Sequence, residues 1–144
     1  GFAAGPCLLK DTMQLAAFNK NNFVLGHAAM LINEGLPQYL VSRLEARFDL
    51  ASTRVGILGM AFKGGSDDPR ESLAYKLRKI LSLKATEVLC TDPQVVDGRL
   101  VPLETVLERA EVLVIAAPHP QYARLDTRLP VVDMWGLTGH GVRV

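Results

Sequence analysis

The sequence predicts an α/β protein: a Rossmann-like parallel sheet with helices on both faces, preceded by an N-terminal helical segment. After residue 50, short continuous runs of aliphatic residues alternate with helical patterns, and such strands are typical of parallel sheets covered on both faces. Before residue 51, apolar residues recur at helical spacing instead. We therefore predict a helical region over residues 1–50 and a Rossmann-like domain over residues 51–144.

Two helices are predicted in the first region, over residues 11–20 and 21–48. Asp11 suits the N-cap of the first helix, and Asn21 or Asn22 suits that of the second. Short polar side chains of this kind accept hydrogen bonds from the free N–H groups of a first turn. The loop of small residues "GFAAGPC" precedes the first helix, which places its cysteine just before a helix N-terminus.

The second predicted helix contains a proline and a long apolar stripe. Pro37 lacks a backbone N–H and crowds the preceding turn, which predicts a kink or a break over residues 33–36. Residues 1–50 are too few to bury this stripe by themselves. We therefore expect the sheet, a further domain or another subunit to cover it. The stripe consists of Leu25, Ala28, Ala29, Ile32, Leu36, Leu40, Leu44 and Phe48.

The second region alternates strands with helices, which predicts right-handed crossovers in a parallel sheet. In open sheets of this type, ligands bind outside the carboxyl ends of the strands. The predicted strands cover residues 53–62, 86–93, 111–119 and 129–136, and the predicted helices cover residues 68–83, 103–110 and 120–126.

The composition argues against several classes of function. Sixteen basic and fifteen acidic side chains give a net charge of +1, which predicts neither a nucleic-acid partner nor attraction to a membrane surface. No apolar run has the length of a membrane span. The two cysteines lie far apart and no Cys or His pair has zinc-finger spacing, so we expect no disulfide, no metal site and a cytoplasmic protein.

The stretch "GMAFKGGSDDPRES" is the richest of the predicted strand ends. Its glycines let a phosphate approach backbone N–H groups, and Lys63 and Arg70 add positive charge. The spacing differs from the G-x-G-x-x-G fingerprint of dinucleotide sites, and Asp92 follows Gly59 by 33 positions rather than about 20. On spacing alone, a nucleotide site and a tight structural turn both remain open, and Asp92 is better explained by a turn than by a ribose contact.

The two cysteines occupy different environments in the sequence. Cys90 lies within an apolar strand, where cysteine behaves as a small hydrophobic residue. Cys7 lies in a loop next to a predicted helix and close to Lys10, and both features favour a thiolate. Local chemistry leaves open whether Cys7 is catalytic and whether Asp11 is more than a helix cap.

Four stretches, in this order, resemble the UDP-glucose/GDP-mannose 6-dehydrogenase family of nucleotide-sugar dehydrogenases. "GFAAGPCLLKD" resembles the segment that carries the family's catalytic cysteine, and "VGILGMAFKGGSDDPRES" resembles its A-F-K…D-D-x-R-E-S segment. "VLCTDP" and "EVLVIAAPHPQYARLD" resemble two further strand ends. The resemblance covers the central helical region and the C-terminal UDP-binding domain of the family.

The resemblance implies an NAD-dependent oxidation of a sugar C6 alcohol to a carboxylate, through a cysteine thiohemiacetal and thioester. It implies Cys7 as the nucleophile, Asp11 as the residue that positions water and handles protons, and Lys10 and Arg70 as cofactor contacts. It also implies a UDP-sugar substrate and a homodimer through the N-terminal helices. The substrate contacts that it implies are Gly1, Phe2, Gly5, Phe62 and Lys63.

The chain departs from the family pattern at several positions. Ala3 and Ala4 stand where glycines are usual, and Met134 and Trp135 stand where many members have D-G-R, so no arginine contact is carried over. The family's N-terminal NAD-binding domain has no counterpart in the sequence. We therefore expect a C-terminal fragment that does not reduce NAD without that domain.

Two alternatives remain at this stage. The chain could be a free-standing nucleotide-binding regulatory module with an inert Cys7, or a helical dimerisation element on a Rossmann-like scaffold that binds no ligand. These motifs do not specify the sugar, although the A-F-K turn favours UDP-glucose or a relative and thus a UDP-glucose 6-dehydrogenase-like enzyme.

Overall fold

The structure, a computed structural model, describes residues 1–139. The last part of the predicted second domain, residues 140–144, lies outside the described residues. Helices and strands follow in the order α1 (Leu8–Phe18), α2 (Val24–Glu45), β1 (Arg54–Leu58), α3 (Leu73–Leu81), β2 (Glu87–Thr91), α4 (Leu103–Arg109), β3 (Val112–Ile115) and β4 (Val131–Asp133), with 3₁₀ turns at Leu50–Ser52 and Pro120–Arg124.

The four strands form one parallel sheet in the order β2-β1-β3-β4. After β1 the chain crosses to β2 on one side, and it then returns past β1 to form β3 on the other side. The carboxyl ends of β1 and β3 therefore flank the switch point of the sheet, where ligands of such folds bind. This topology confirms the predicted fold class.

Alternate strand residues face two apolar layers, as the pleat of a strand requires. One layer joins the sheet to α3 and to the second half of α2. The other joins it to α4 and to the 3₁₀ turn after β3. The sheet contributes Val55, Ile57, Cys90, Val112, Val114 and Val132 to the first layer and Leu58, Leu89, Leu113 and Ile115 to the second.

Helix α2 departs from the prediction in two ways. It runs without a break through the buried Pro37, so the predicted break over residues 33–36 is wrong. Its predicted apolar stripe is also covered by the core over only part of its length. Leu40 and Leu44 are buried in the core, whereas the Leu25 and Ile32 side chains are 81% and 69% exposed.

The helix caps also differ from the prediction. Helix α1 begins at Leu8 with Cys7 as its N-cap, so Asp11 lies in the first turn rather than at the cap. An acidic side chain there still interacts favourably with the helix dipole. The N-cap of α2 is Phe23, not an asparagine. Asn21 has a φ of 62° and forms part of the left-handed turn between the helices.

The strands and helices of the sheet domain are all shorter than predicted, and two of the differences change the loops at the strand ends. Helix α3 begins only after Ser72, because residues 66–71 form the turn that leads to it. The predicted helix over residues 120–126 is a 3₁₀ turn, Pro120–Arg124. Within residues 1–139, no helix combines the length and the apolarity that crossing a bilayer requires.

The predicted boundary between residues 50 and 51 stays a prediction. The second half of α2 shares its core with β1 and α3, through Leu40, Val41 and Leu44. The cysteine loop that precedes α1 is thereby attached to the sheet through a common apolar layer.

Candidate functional site

The loops after β1 and β3 meet at the switch point of the sheet. A Cβ atom added to Gly64 would lie 2.2 Å from the carbonyl oxygen of Pro118, so the two loops touch through their backbones. Only a residue without a side chain permits this approach. The chain segment "AFKGGSDDPRES" is therefore held at the place where the topology predicts a ligand.

Hydrogen bonds within this segment hold its path. The N–H of Phe62 donates to the Asp68 carbonyl at 3.0 Å. The buried Ser72 hydroxyl donates to the Ala61 carbonyl at 3.1 Å and also accepts from the Ala74 N–H at the start of α3. Because Ser72 and Ala74 are buried, the exposed Lys63, rather than the N-terminus of α3, is the donor offered to solvent.

Asp92 ties this segment to the end of β2. Its side chain is fully buried. One carboxylate oxygen accepts from the N–H groups of Met60 and Ala61 at 2.6 and 3.0 Å, and the other accepts from Gln94 and Val95 at 2.8 and 2.9 Å. The turn interpretation of Asp92 agrees with these contacts, which leave no room for a ribose.

His119, after β3, completes this arrangement. Its Nε2 lies 3.1 Å from the Asp92 carboxylate, and its Nδ1 accepts from the Gly65 N–H at 3.2 Å. The ring is buried and meets Tyr122 edge to face, with ring centres 5.9 Å apart. Since Gly65 donates to Nδ1, the contacts fit a neutral imidazole with its proton on Nε2.

The pKa of Asp92 reflects these contacts. Burial alone raises the pKa of a carboxyl group, but the hydrogen bonds from His119 and from the N–H groups of Val95, Gln94 and Met60 outweigh it and lower the pKa of Asp92 well below its ordinary value. Asp92 is therefore an ionised, structural carboxylate at neutral pH.

Phe62 and Lys63 lie at the tip of the segment. Lys63 is exposed, and its ammonium group lies 5.4 Å from the centre of the Phe62 ring. No carboxylate within residues 1–139 pairs with it. A cation beside an aromatic ring suits a ligand that combines a flat base or sugar with phosphate.

The cysteine loop touches this tip. Gly5 has a φ of 136°, and a Cβ atom added there would lie 3.2 Å from the Phe62 ring. Both the backbone conformation and the ring favour glycine at this position. Two of the segments that the sequence resemblance singled out, 57 residues apart, are thus in direct contact.

Cys7 is exposed at the N-terminus of α1. Its side chain lines an open cavity of about 540 Å³ together with Asp11, Thr12 and other residues of α1 and Phe23. Asp11 is one turn further along α1 and forms an exposed ion pair with Lys10 at 3.5 Å. The thiol, the carboxylate and the ammonium group are therefore close together and open to a ligand.

Arg70 is exposed in the segment that follows β1. Its guanidinium forms a two-pronged ion pair with Asp68, which raises the pKa of Arg70, and the nearby Cys7 contributes a smaller rise. Arg70 also borders an open cavity of about 430 Å³ with Tyr75, Asp97 and Arg99. The two guanidinium groups of this cavity are each paired with a carboxylate, Arg70 with Asp68 and Arg99 with Asp97.

The first two residues have different surroundings. Phe2 is 6% exposed and packs in the core, so its side chain is not available to a ligand. A Cβ atom added to Gly1 would overlap the Trp135 ring, with the nearest ring carbon at 2.3 Å. Trp135 therefore supports the start of the cysteine loop, at a position where the sequence suggested no role.

The structure brings most of the predicted site residues together. Gly5 meets Phe62, Cys7 lines one cavity with Asp11, and Asp11 pairs with Lys10. Arg70 borders a different cavity. Their catalytic and binding roles stay predictions. Sequence reasoning missed His119, whose signal was its position directly after a strand in "APHP", and it missed the support from Trp135. No cluster of three or more potential metal ligands occurs within residues 1–139.

Comparison with known proteins identifies relatives of this chain. Residues 56–138 match the family model described as "UDP-glucose/GDP-mannose dehydrogenase family, UDP binding domain". The chain is 37% identical over 127 residues to the UDP-N-acetyl-D-mannosamine dehydrogenase of Pyrococcus horikoshii, which covers 85% of this chain and 30% of that protein. It is 31% identical over 134 residues to the UDP-glucose 6-dehydrogenase AglM of Haloferax volcanii. This match covers 85% of this chain and 31% of that protein.

A solved structure agrees with these sequence matches. The ternary complex of GDP-mannose dehydrogenase from Pseudomonas aeruginosa superposes with a TM-score of 0.82 at 26% identity, over 100% of this chain and 39% of that one. The chain thus spans about a third of the length of these three relatives. The three are named for three different nucleotide sugars.

Proposed function

Since this chain belongs to the UDP-glucose/GDP-mannose dehydrogenase family, with residues 56–138 as its UDP-binding domain, we propose that it supplies the nucleophile and the UDP site of an NAD-dependent nucleotide-sugar 6-dehydrogenase. The family resemblance inferred from the sequence is confirmed. The observation that carries the proposal is the contact of the cysteine loop with the Phe62 ring at the switch point of the sheet. The enzyme would act in the cytoplasm, where a thiol stays reduced.

Cys7 is the proposed nucleophile of the second oxidation. Its thiolate adds to the carbon of the C6 aldehyde, the carbonyl oxygen takes up a proton, and a thiohemiacetal forms. Loss of that proton and of a hydride converts the thiohemiacetal to a thioester. Water then attacks the thioester carbon, the C–S bond breaks, and Cys7 returns as a thiolate beside the carboxylate product.

Asp11 and Lys10 support this chemistry from the first turn of α1. Asp11 lines the same cavity as Cys7, where its carboxylate can hold the attacking water and take its proton. Lys10 pairs with Asp11 and keeps a positive charge beside the cleft. The N-terminus of α1 also favours negative charge on the sulfur.

The residues present fit NAD in part. Arg70, and Arg99 across the same cavity, would bind its phosphates. When bound, NAD takes up the hydride that each oxidation releases. The structure contains no second dinucleotide lobe within residues 1–139, so the NAD-binding domain of the same polypeptide is the proposed partner.

Lys63 is the proposed contact to UDP. We expect the 144-residue chain to bind UDP in preference to NAD, and Lys63→Ala to weaken UDP binding about tenfold, the effect of one charge-assisted hydrogen bond. Isothermal titration calorimetry measures both affinities.

Lys79→Ala is the matched control, because Lys79 is exposed on α3. Preferential binding of NAD would favour a free-standing regulatory module instead. If the chain bound neither UDP nor NAD, the result would favour a helical dimerisation element on a scaffold that binds no ligand. Turnover of NAD by the 144-residue chain with a UDP-sugar would contradict the proposed division of labour.

The exposed apolar residues of α2 support the proposed homodimer. Leu25, Ile32 and Tyr39 recur every seven residues and are 81%, 69% and 56% exposed. An apolar helix surface of this kind is normally covered by other protein. The core covers Leu40 and Leu44, so we propose that a second copy of the chain covers Leu25, Ile32 and Tyr39.

A charge on this face should separate the subunits. We expect Ile32→Glu to shift the chain from dimer to monomer in sedimentation velocity, because a carboxylate buried in an apolar interface costs several kcal/mol. His27→Glu introduces a carboxylate on the neighbouring polar side of α2 and should leave the dimer intact. A wild-type chain that is monomeric at high concentration would rule out this interface.

A further inference from the structure

His119 and Asp92 connect the ends of three neighbouring strands. Asp92 follows β2, His119 follows β3, and the N–H groups of Met60 and Ala61 that Asp92 binds follow β1. The His119–Asp92 hydrogen bond joins two buried side chains, which are 1% and 0% exposed. By contrast, the ion pairs within residues 1–139 each include an exposed or half-buried side chain.

The two contacts of His119 lie on either side of the Phe62–Lys63 tip. Asp92 accepts from the residues directly before Phe62, and His119 accepts from Gly65, two residues after Lys63. The tip is therefore attached at both ends to one buried pair. Within residues 1–139, the hydrogen bonds of the pair go to the residues on either side of Phe62 and Lys63 and not to these two residues.

We infer that Asp92 and His119 form a buried latch that fixes the Phe62–Lys63 tip in its binding position, with His119 as a positioning residue for the nucleotide. The inference rests on the proposed function for the identity of the ligand, but not for the latch. Without the latch, Gly64 and Gly65 leave the tip free to adopt other conformations, and a nucleotide must then restrict it on binding.

Three variants separate the contacts of His119. His119→Phe removes both hydrogen bonds and keeps an aromatic ring beside Tyr122. His119→Gln retains an amide N–H group that can reach the Asp92 carboxylate as Nε2 does. Tyr122→Phe is the control, because it alters the neighbouring ring while leaving both hydrogen bonds of His119 in place.

Amide hydrogen exchange of the 144-residue chain, followed by NMR, tests the latch directly. In His119→Phe we expect exchange at Met60, Ala61 and Gly65 to rise at least tenfold, while the amides of Val55 and Ile57 in β1 stay protected. In His119→Gln we expect Met60 and Ala61 to regain most of their protection and Gly65 to remain fast. Unchanged exchange at Gly65 in His119→Phe would overturn the latch.

Titration with UDP tests the positioning role. We expect His119→Phe to weaken UDP binding about tenfold, His119→Gln to recover part of the loss, and Tyr122→Phe to bind as the wild type does. Faster exchange with unchanged UDP affinity would overturn the positioning role. If the wild-type chain does not bind UDP, the proposed function fails, while the exchange data still decide the latch.

Discussion

Replacing Cys7 by serine should abolish carboxylate formation by the enzyme that contains these residues together with an NAD-binding domain. A serine hydroxyl is far less nucleophilic than a thiolate at neutral pH, so the covalent second oxidation is lost. We expect the rate to fall by at least about a thousandfold, or roughly 4 kcal/mol of transition-state stabilisation. Quench-flow analysis of the sugar products measures this loss and distinguishes aldehyde from carboxylate.

The second cysteine provides the control. Cys90 is 2% exposed in β2, and burial raises the pKa of its thiol to about 11. Iodoacetamide should therefore alkylate Cys7 and spare Cys90 in the folded chain, as peptide mass spectrometry would show. Cys90→Ala should retain activity. If the Cys7→Ser variant produced carboxylate at the wild-type rate, Cys7 could not be the nucleophile.

Replacing Asp92 by alanine should cost about 3–5 kcal/mol of folding free energy, the range for removing one partner of a buried charged network. Four backbone N–H groups and His119 lose their acceptor together. For a domain of ordinary stability this is a large share of the total. Urea denaturation followed by circular dichroism measures the change, and the exposed Asp126→Ala should stay within about 0.5 kcal/mol of the wild type.

The pH dependence of stability should identify the same carboxylate. The pKa of Asp92 is lower in the folded chain than in the unfolded chain. Its contribution is therefore present above the unfolded value of about 3.9 and is lost as the pH falls through the folded value. Between neutral pH and pH 3, Asp92→Ala should lose less stability than the wild type. An identical acid dependence would contradict the assignment.

The sheet was predictable because its strands are short apolar runs whose alternate residues enter two separate layers, as Val55 and Leu58 do. The boundaries of α1 and α3 were less predictable. Side chains capable of capping occur at several nearby positions, and tertiary contacts select among them: Ser72 caps α3 because its hydroxyl also binds the Ala61 carbonyl.

The buried and exposed parts of the α2 stripe could not be distinguished from the sequence alone. Leu25 and Leu40 belong to the same apolar pattern, and only the position of the sheet decides which of them is buried. The latch was hidden for a similar reason. A histidine after one strand and an aspartate after another become partners only when the strand order places β2 and β3 on either side of β1.

The contact of Gly5 with the Phe62 ring has a thermodynamic consequence. If the proposed function holds, a nucleotide that displaces the Phe62 ring acts on the backbone of Gly5, two residues before the Cys7 sulfur. Linkage would make this effect reciprocal. The factor by which the nucleotide changes the equilibrium between free and acylated Cys7 would then equal the factor by which acylation changes the release of the nucleotide.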